Sequence, residues 1–202
     1  MNESRKNIRT EIIQQRKALS SEEIAEASKL VGAHIVESDF WAYAKHIAFY
    51  IAQNGETDPQ QLLMLAEQQG KICYLPALAG TEHNELVMVQ YSKGDPLPLN
   101  RYRIPEPIQD PAKIIAPNEL DLVLVPLVAY DIYGTRLGMG LGFYDRSFAF
   151  LNTAHRPAKP LLVGLAYRFQ QANKLPREDW DVPLDKVATP EMLINTTSTH
   201  NE

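Results

Sequence analysis

Between positions 136 and 145 the chain reads Arg136-Leu137-Gly138-Met139-Gly140-Leu141-Gly142-Phe143-Tyr144-Asp145. Three glycines alternate with apolar residues, an arginine stands two positions ahead of the first, and a carboxylate closes the run. Glycines this close together cost backbone entropy and bury no side chain. What they permit is close approach of the main chain to a ligand, with successive N–H groups turned to one point. At the start of a helix such groups form an anion site, helped by the helix dipole. Arg136 adds a planar cationic fork suited to phosphate oxygens. Asp145 disfavours a bare phosphate, so its presence implies a cation between the two, and Mg²⁺ is commonly held by one or two carboxylates plus phosphate oxygens and water. The run is neither a dinucleotide fingerprint nor a Walker loop, since it reads G-x-G-x-G and no Lys-Ser/Thr follows the last glycine. A tight structural turn is the competing reading, and Arg136 with Asp145 weighs against it.

Other residues carry chemistry at a distance. Arg5, Lys6 and Arg9 belong to a basic first helix, and Arg5 and Arg9 are four apart, on one face. A solvated basic face is the commoner fate of such charges; a two-pronged anion clamp is the alternative. Gln53, Glu56 and Asp58 lie in an exposed loop after the first strand, where they suit a heterocycle bearing N–H donors. Helix capping by itself accounts for Asp58, whereas Glu56 has no such duty and is the better ligand candidate. Asp181 is either a second metal carboxylate beside Asp145 or an ordinary surface residue. Tyr144 either stacks on or hydrogen-bonds a ligand, or is a core aromatic at a helix start.

The elements that must position these residues alternate. Helices are expected over 4–18, over 21–37 behind a Ser20/Glu23 capping box, and from Pro59 to Gly70. Strands are expected at 46–51, 71–75 (stopped by Pro76), 85–90, 120–126, 161–166 and 187–189. A helix is expected to run from Phe143 to Leu151. Residues 92–118 are proline-rich and aperiodic, and Arg103-Ile104-Pro105-Glu106-Pro107 reads as a rigid extended turn. The pattern predicts an α/β fold, a three-layer αβα sandwich with a mainly parallel sheet. It fits one domain over 1–194 and a disordered tail at 195–202.

The totals exclude several classes. The 202 residues are 45% hydrophobic and 22% charged, an ordinary globular composition. No apolar run approaches the ~20 residues of a membrane span, and no secretory signal opens the chain. A single cysteine, Cys73, leaves no internal disulfide and fits a reducing, cytoplasmic setting. It lies in an apolar strand pattern and reads as a small core residue. A net charge of −5 argues against general nucleic-acid binding. The five histidines show no zinc-ligand spacing. A monomer is the default expectation.

The wording of the sequence resembles the 5-formyltetrahydrofolate cyclo-ligase (methenyltetrahydrofolate synthetase) family, bacterial members most of all. The likeness runs from about Arg5 to Thr189. It includes the basic opening R-x-x-I-R, the N-G-E-x-D loop, K-x-C-Y-L-P, R-I-P-E-P, D-L-V-L-V-P-L-V-A-Y-D leading into R-L-G-x-G-x-G-F-Y-D, and W-D-V-P-L. The resemblance implies conversion of 5-formyltetrahydrofolate, polyglutamylated or not, to 5,10-methenyltetrahydrofolate with ATP and Mg²⁺. It places Arg5 and Arg9 on ATP phosphates, with Lys6 beside them as an ATP-binding candidate, and Arg136 through Tyr144 on the ATP loop. Arg136 and Tyr144 are the candidates for catalysis. It places Asp145 and Asp181 on the metal, and Gln53, Glu56 and Asp58 on the folate. Leu141 and Arg5 depart from the family's commoner residues, a small or basic one and Lys. Two other readings are a non-catalytic folate or nucleotide binder, and an ATP-independent isomerase or acyl-transfer enzyme using Glu56.

Overall fold

The computed structural model describes residues 3–80 and 85–197, with side chains from Arg5 onward. Among these residues five α-helices form: α1 Glu3–Lys17, α2 Ser21–Val36, α3 Asp39–Tyr43, α4 Gln60–Gln68 and α5 Phe143–Ser147. The strands are β1 His46–Ala48, β2 Ile72–Leu78, β3 Leu86–Gln90, β4 Ile114–Ile115, β5 Leu122–Pro126, β6 Ala129–Tyr130, β7 Arg136–Leu137, β8 Leu161–Leu165, β9 Lys186–Ala188 and β10 Leu193–Asn195. Eight of them make one sheet in the order β10-β9-β8-β5-β1-β2-β3-β4, and β6 and β7 pair separately. The five inner strands are parallel and the edges are antiparallel.

The near-continuous apolar reading of β5 follows from burial on both sides. Leu122 and Leu124 face a cluster with Val31 and Ile35 of α2, Trp41 of α3, and Leu62, Leu63 and Ala66 of α4. Val123 and Val125 face the opposite cluster, with Phe148, Leu151, Val182 and Leu184. The expected three layers and mainly parallel sheet are thus present. The second covering layer is thinner than expected. The helix predicted over Phe143–Leu151 breaks after Ser147, and Ala149–Leu151 continues as a 3-10 turn.

Local chemistry sets the boundaries. Ser20 Oγ accepts from Glu23 N–H at 3.2 Å and Glu23 Oε2 accepts from Ser20 N–H at 2.8 Å, the reciprocal cap of α2. Pro76 does not stop β2, as the sequence suggested. Ile72 N–H and Tyr74 O bond toward the β1 side, so by alternation position 76 faces that side too. Strand β1 is paired only through Tyr74, so nothing there asks Pro76 for a donor. Of the tail expected to be disordered, residues 195–197 are placed, and Thr196 Oγ1 donates to Leu184 O at 2.6 Å; residues 198–202 lie outside the described residues.

From β1 the chain moves one way across the sheet to β2, and later returns to the other flank of β1 at β5. The direction of winding therefore reverses between β1 and β5. Such a switch point opens a crevice beyond the carboxyl ends of the strands.

Candidate active site

A cleft of about 1240 Å³ fills that crevice. This exceeds the roughly 300–1,000 Å³ typical of one small-molecule site. Tyr50, Ile51, Gln53 and Glu56 enter it from the end of β1, Leu127 and Val128 from the end of β5, and the whole run from Arg136 to Arg146 forms one wall. Arg5 and Arg9 reach it from α1, and Asp181 from a loop before β9. The structure therefore gathers, from five stretches of chain, nearly every residue that the sequence nominated. Two stay out of the lining. Lys6 is exposed on α1. Asp58 Oδ1 accepts from Gln60 N–H at 2.9 Å, a turn just ahead of α4; the N-cap itself is Pro59, one residue later than the sequence suggested.

The glycine run takes backbone conformations that its composition permits. Gly140 has φ +100° and Gly142 φ +66°, both left-handed, and Gly142 leads directly into α5. But α5 has five residues, so its dipole is small, and positive charge comes mainly from arginines. Arg9 Nε donates to Gly138 O at 2.7 Å. A Cβ on Gly140 would meet Arg9 Nη2 at 3.4 Å, so the guanidinium lies flat against the loop. Burial, then the neighbouring Arg5 charge, depresses the pKa of Arg9. The two residues thus concentrate cationic field at one end of the cleft. Arg5 in turn donates from Nη2 to Pro176 O at 2.6 Å and to Asp181 Oδ2 at 3.1 Å.

Arg136 is less available than its position in the motif suggested. Its side chain is 5% exposed. Its fork is engaged inside the protein, by Val182 O through Nη1 and by Asp145 Oδ1 through Nη2, the latter at 2.6 Å. Val182 N–H also donates to Asp145 Oδ1, at 3.1 Å. Asp145 thus ties the glycine wall to the W-D-V-P segment, and Arg136 feels both Asp145 and Asp181. Two carboxylates facing one arginine-rich cleft fit a cation shared with a ligand's phosphate oxygens. Among the described residues no cluster of three or more His, Cys, Asp or Glu forms a protein-only cage.

Glu56 departs most from expectation, because it does carry a structural duty. Its Oε1 accepts from Arg16 Nη1 at 3.2 Å and its Oε2 from Gln53 N–H at 3.0 Å. Burial raises its pKa and the Arg16 charge opposes that rise. Tyr144 stacks on Phe148 at 6.1 Å at the start of α5, as the core reading held, and it also lines the cleft. Burial and then Glu56 push its phenol up, keeping it a neutral donor.

Sequence reasoning missed Trp180, Tyr102 and Ile104. Trp180 is 67% exposed and lines the cleft with Tyr102, Ile104, Met139 and Leu141, all exposed large apolar side chains. Exposed apolar groups gathered in a concavity mark a ligand-binding groove. The turn from Asn100 into R-I-P-E-P holds two of them there. Tyr102 meets Phe143 edge-on at 6.0 Å, and Asn100 Oδ1 accepts from Tyr102 and Ile104 N–H at 2.9 and 3.1 Å. The exposed tryptophan in W-D-V-P was the available signal.

Fold and site together define an open α/β protein whose cleft, at the topological switch point, is lined by a glycine run beside arginines and by a group of exposed apolar side chains. Comparison with known proteins agrees. Residues 1–190 match the model of the 5-formyltetrahydrofolate cyclo-ligase family. The chain is 37% identical over 179 residues to the 5-formyltetrahydrofolate cyclo-ligase of Escherichia coli K12, covering 89% of this chain and 96% of that one. To the enzyme of that name from Haemophilus influenzae it is 38% identical over 182 residues, covering 90% and 95%. The solved structure of 5,10-methenyltetrahydrofolate synthetase from Aquifex aeolicus superimposes with a TM-score of 0.79 at 29% identity, covering 98% of this chain and 94% of that one. That of the Mycoplasma pneumoniae synthetase does so at 0.70 and 23% identity, covering 94% and 99%, which bears on the fold. The chain belongs to the 5-formyltetrahydrofolate cyclo-ligase family, a family of enzymes.

Proposed function

We propose that this protein converts 5-formyltetrahydrofolate to 5,10-methenyltetrahydrofolate in an ATP- and Mg²⁺-dependent reaction that releases ADP and phosphate. The observation that carries the ATP requirement is Arg9 lying flat on a left-handed glycine run, with its Nε on Gly138 O, inside a cleft of about 1240 Å³. A formamide oxygen is a poor leaving group. Transfer of the γ-phosphoryl group to that oxygen makes it a good one, N10 then attacks the formyl carbon to close the ring, and phosphate departs. Phosphoryl transfer asks a protein for positioning and charge neutralisation more than for a nucleophile.

On this reading the loop amides from Gly138 to Gly142, with Arg5 and Arg9, hold the triphosphate. Arg136 keeps Asp145 in place and supplies positive charge behind it. Asp145 and Asp181 would hold Mg²⁺, which neutralises phosphate charge. Gln53 and Glu56 accept from the heterocycle, and Tyr102, Ile104 and Trp180 flank its rings. Tyr144, neutral and next to Glu56, donates into the same space. We place the protein in the cytoplasm, acting as a monomer. Among the described residues no helix is long and apolar enough to cross a membrane.

The test mixes protein, 5-formyltetrahydrofolate, ATP and Mg²⁺, and follows methenyl absorbance together with ADP. Equal yields of the two products are expected. Methenyl formation that proceeds without ATP would overturn the phosphoryl-transfer route, and folate binding with no turnover would overturn catalysis itself.

A further inference from the structure

Helix α1 carries three arginines on one face. Arg5 and Arg9 are four apart and Arg16 follows seven later, close to whole turns of a helix. The first two meet the nucleotide end of the cleft. The third is 1% exposed. Its Nη1 donates to Glu56 Oε1 at 3.2 Å and to Leu127 O at 3.3 Å. Its Nε and Nη2 are buried with no hydrogen-bond partner. The backbone of Arg16 is held as closely as the side chain: a Cβ on Gly55, at φ +73°, would sit 2.5 Å from Arg16 O. On the far side of the loop, Tyr50 Oη donates to Thr57 O at 2.6 Å. The Gln53–Thr57 loop is thus clamped against α1, with one carboxylate turned between Arg16 and the cleft.

A buried arginine whose fork is incompletely satisfied is a poor device for stability alone, because desolvation offsets the Coulomb gain. What it does well is fix the orientation of the group it faces. Resting on the reading of this cleft as a folate site, we propose that Arg16 is a positioning residue: it acts through Glu56, holding that carboxylate in one orientation toward the N–H donors of the substrate's heterocycle. One helix then references both substrates to each other, the nucleotide through Arg5 and Arg9 and the folate through Arg16 and Glu56. The other titratable groups that feel Glu56 are Tyr50, Tyr144 and Tyr167. Burial pushes all three phenols up, Tyr167 to about 12, so they stay neutral and Arg16 supplies the opposing charge.

Calorimetry with 5-formyltetrahydrofolate alone, without nucleotide, tests this on wild type, Arg16→Met, Glu56→Gln and the double variant, each checked for folding by circular dichroism. Each single variant is expected to bind roughly tenfold more weakly, and the double variant no more weakly than Glu56→Gln, the non-additivity of residues that act as a unit. Additive losses would overturn the proposal. In wild type, binding is expected to fall as acid protonates Glu56. Arg16→Met is expected to move that fall to higher pH, and Glu56→Gln to abolish it. An acid limb unmoved by Arg16→Met would show a merely structural arginine. Should Arg16→Met fail to fold, comparison of Glu56→Gln with the double variant, which buries no bare charge, decides: equal affinity supports the proposal and further weakening overturns it. Wild type that binds no 5-formyltetrahydrofolate would instead remove the proposed function.

Discussion

The two walls of the cleft are built on opposite plans. The wall from Gln53 to Thr57 is inward-facing and clamped: Gly55 abuts the backbone of Arg16, and Glu56 is locked by Arg16 and Gln53. The wall from Gly138 to Gly142 is outward-facing and padded by side chains: Met139 and Leu141 are exposed, and the neighbours of Gly140 and Gly142 are guanidinium groups of Arg9 and Arg146. A side chain can give way where a backbone cannot. On the proposed function, the difference makes the wall at Gln53–Thr57 a fixed reference for the folate and the wall at Gly138–Gly142 an adjustable one for the nucleotide. That suits a reaction in which the triphosphate must be brought to a stationary formyl oxygen.

Paired substitutions break or sharpen this contrast. Gly55→Ala places a methyl against Arg16 O in a left-handed conformation, and should cost about 2–4 kcal/mol in thermal or urea unfolding. A variant as stable as wild type would mean the clamp is loose. Asp145→Ala leaves the almost fully buried Arg136 without its carboxylate, and should lower stability by ~1–3 kcal/mol, since Asp145 itself is partly exposed. It should also reduce ATP-dependent turnover by about 100-fold or more, as expected when a group that acts at the transition state is lost. Retained Mg²⁺-dependent turnover would contradict its assignment.

Arg9→Ala should raise the KM for ATP by about tenfold, roughly 1.4 kcal/mol, with a small change in melting temperature and none in folate affinity. An equal change in both affinities would merge the two walls into one unit. Gly140→Ala should cost only about 1 kcal/mol of stability, because its neighbour is a movable guanidinium, so its ratio to Gly55→Ala measures the contrast directly. The smallest effect concerns the sheet behind the walls. Cys73 is buried and its thiol is pushed up to about 12 by burial. It should resist alkylation at pH 8 in the native state and react on unfolding; fast native labelling would show an open core.

Much of this was legible in the sequence because its causes are local. The Ser20/Glu23 cap, the burial of β5 and the local turn at Asp58 ahead of α4 depend on neighbours within a few residues. What was not legible depends on distant ones. Pro76 sits inside β2 because β1, far upstream, ends too early to need its N–H. Glu56 looked free because its partner Arg16 is 40 positions away. Arg136 looked available because Val182, 46 positions on, was not known to engage its fork. The helix after the glycines was over-read because the apolar residues of Phe148–Leu151 serve the sheet face through a tighter turn.

Backbone hydrogen exchange of the glycine wall bears most directly on the account. On addition of a non-hydrolysable ATP analogue with Mg²⁺, the amides of residues 138–142 should slow markedly, while those of 53–57, already clamped, should change little. Nucleotide binding that protects a different segment and leaves 138–142 exchanging as before would contradict the account.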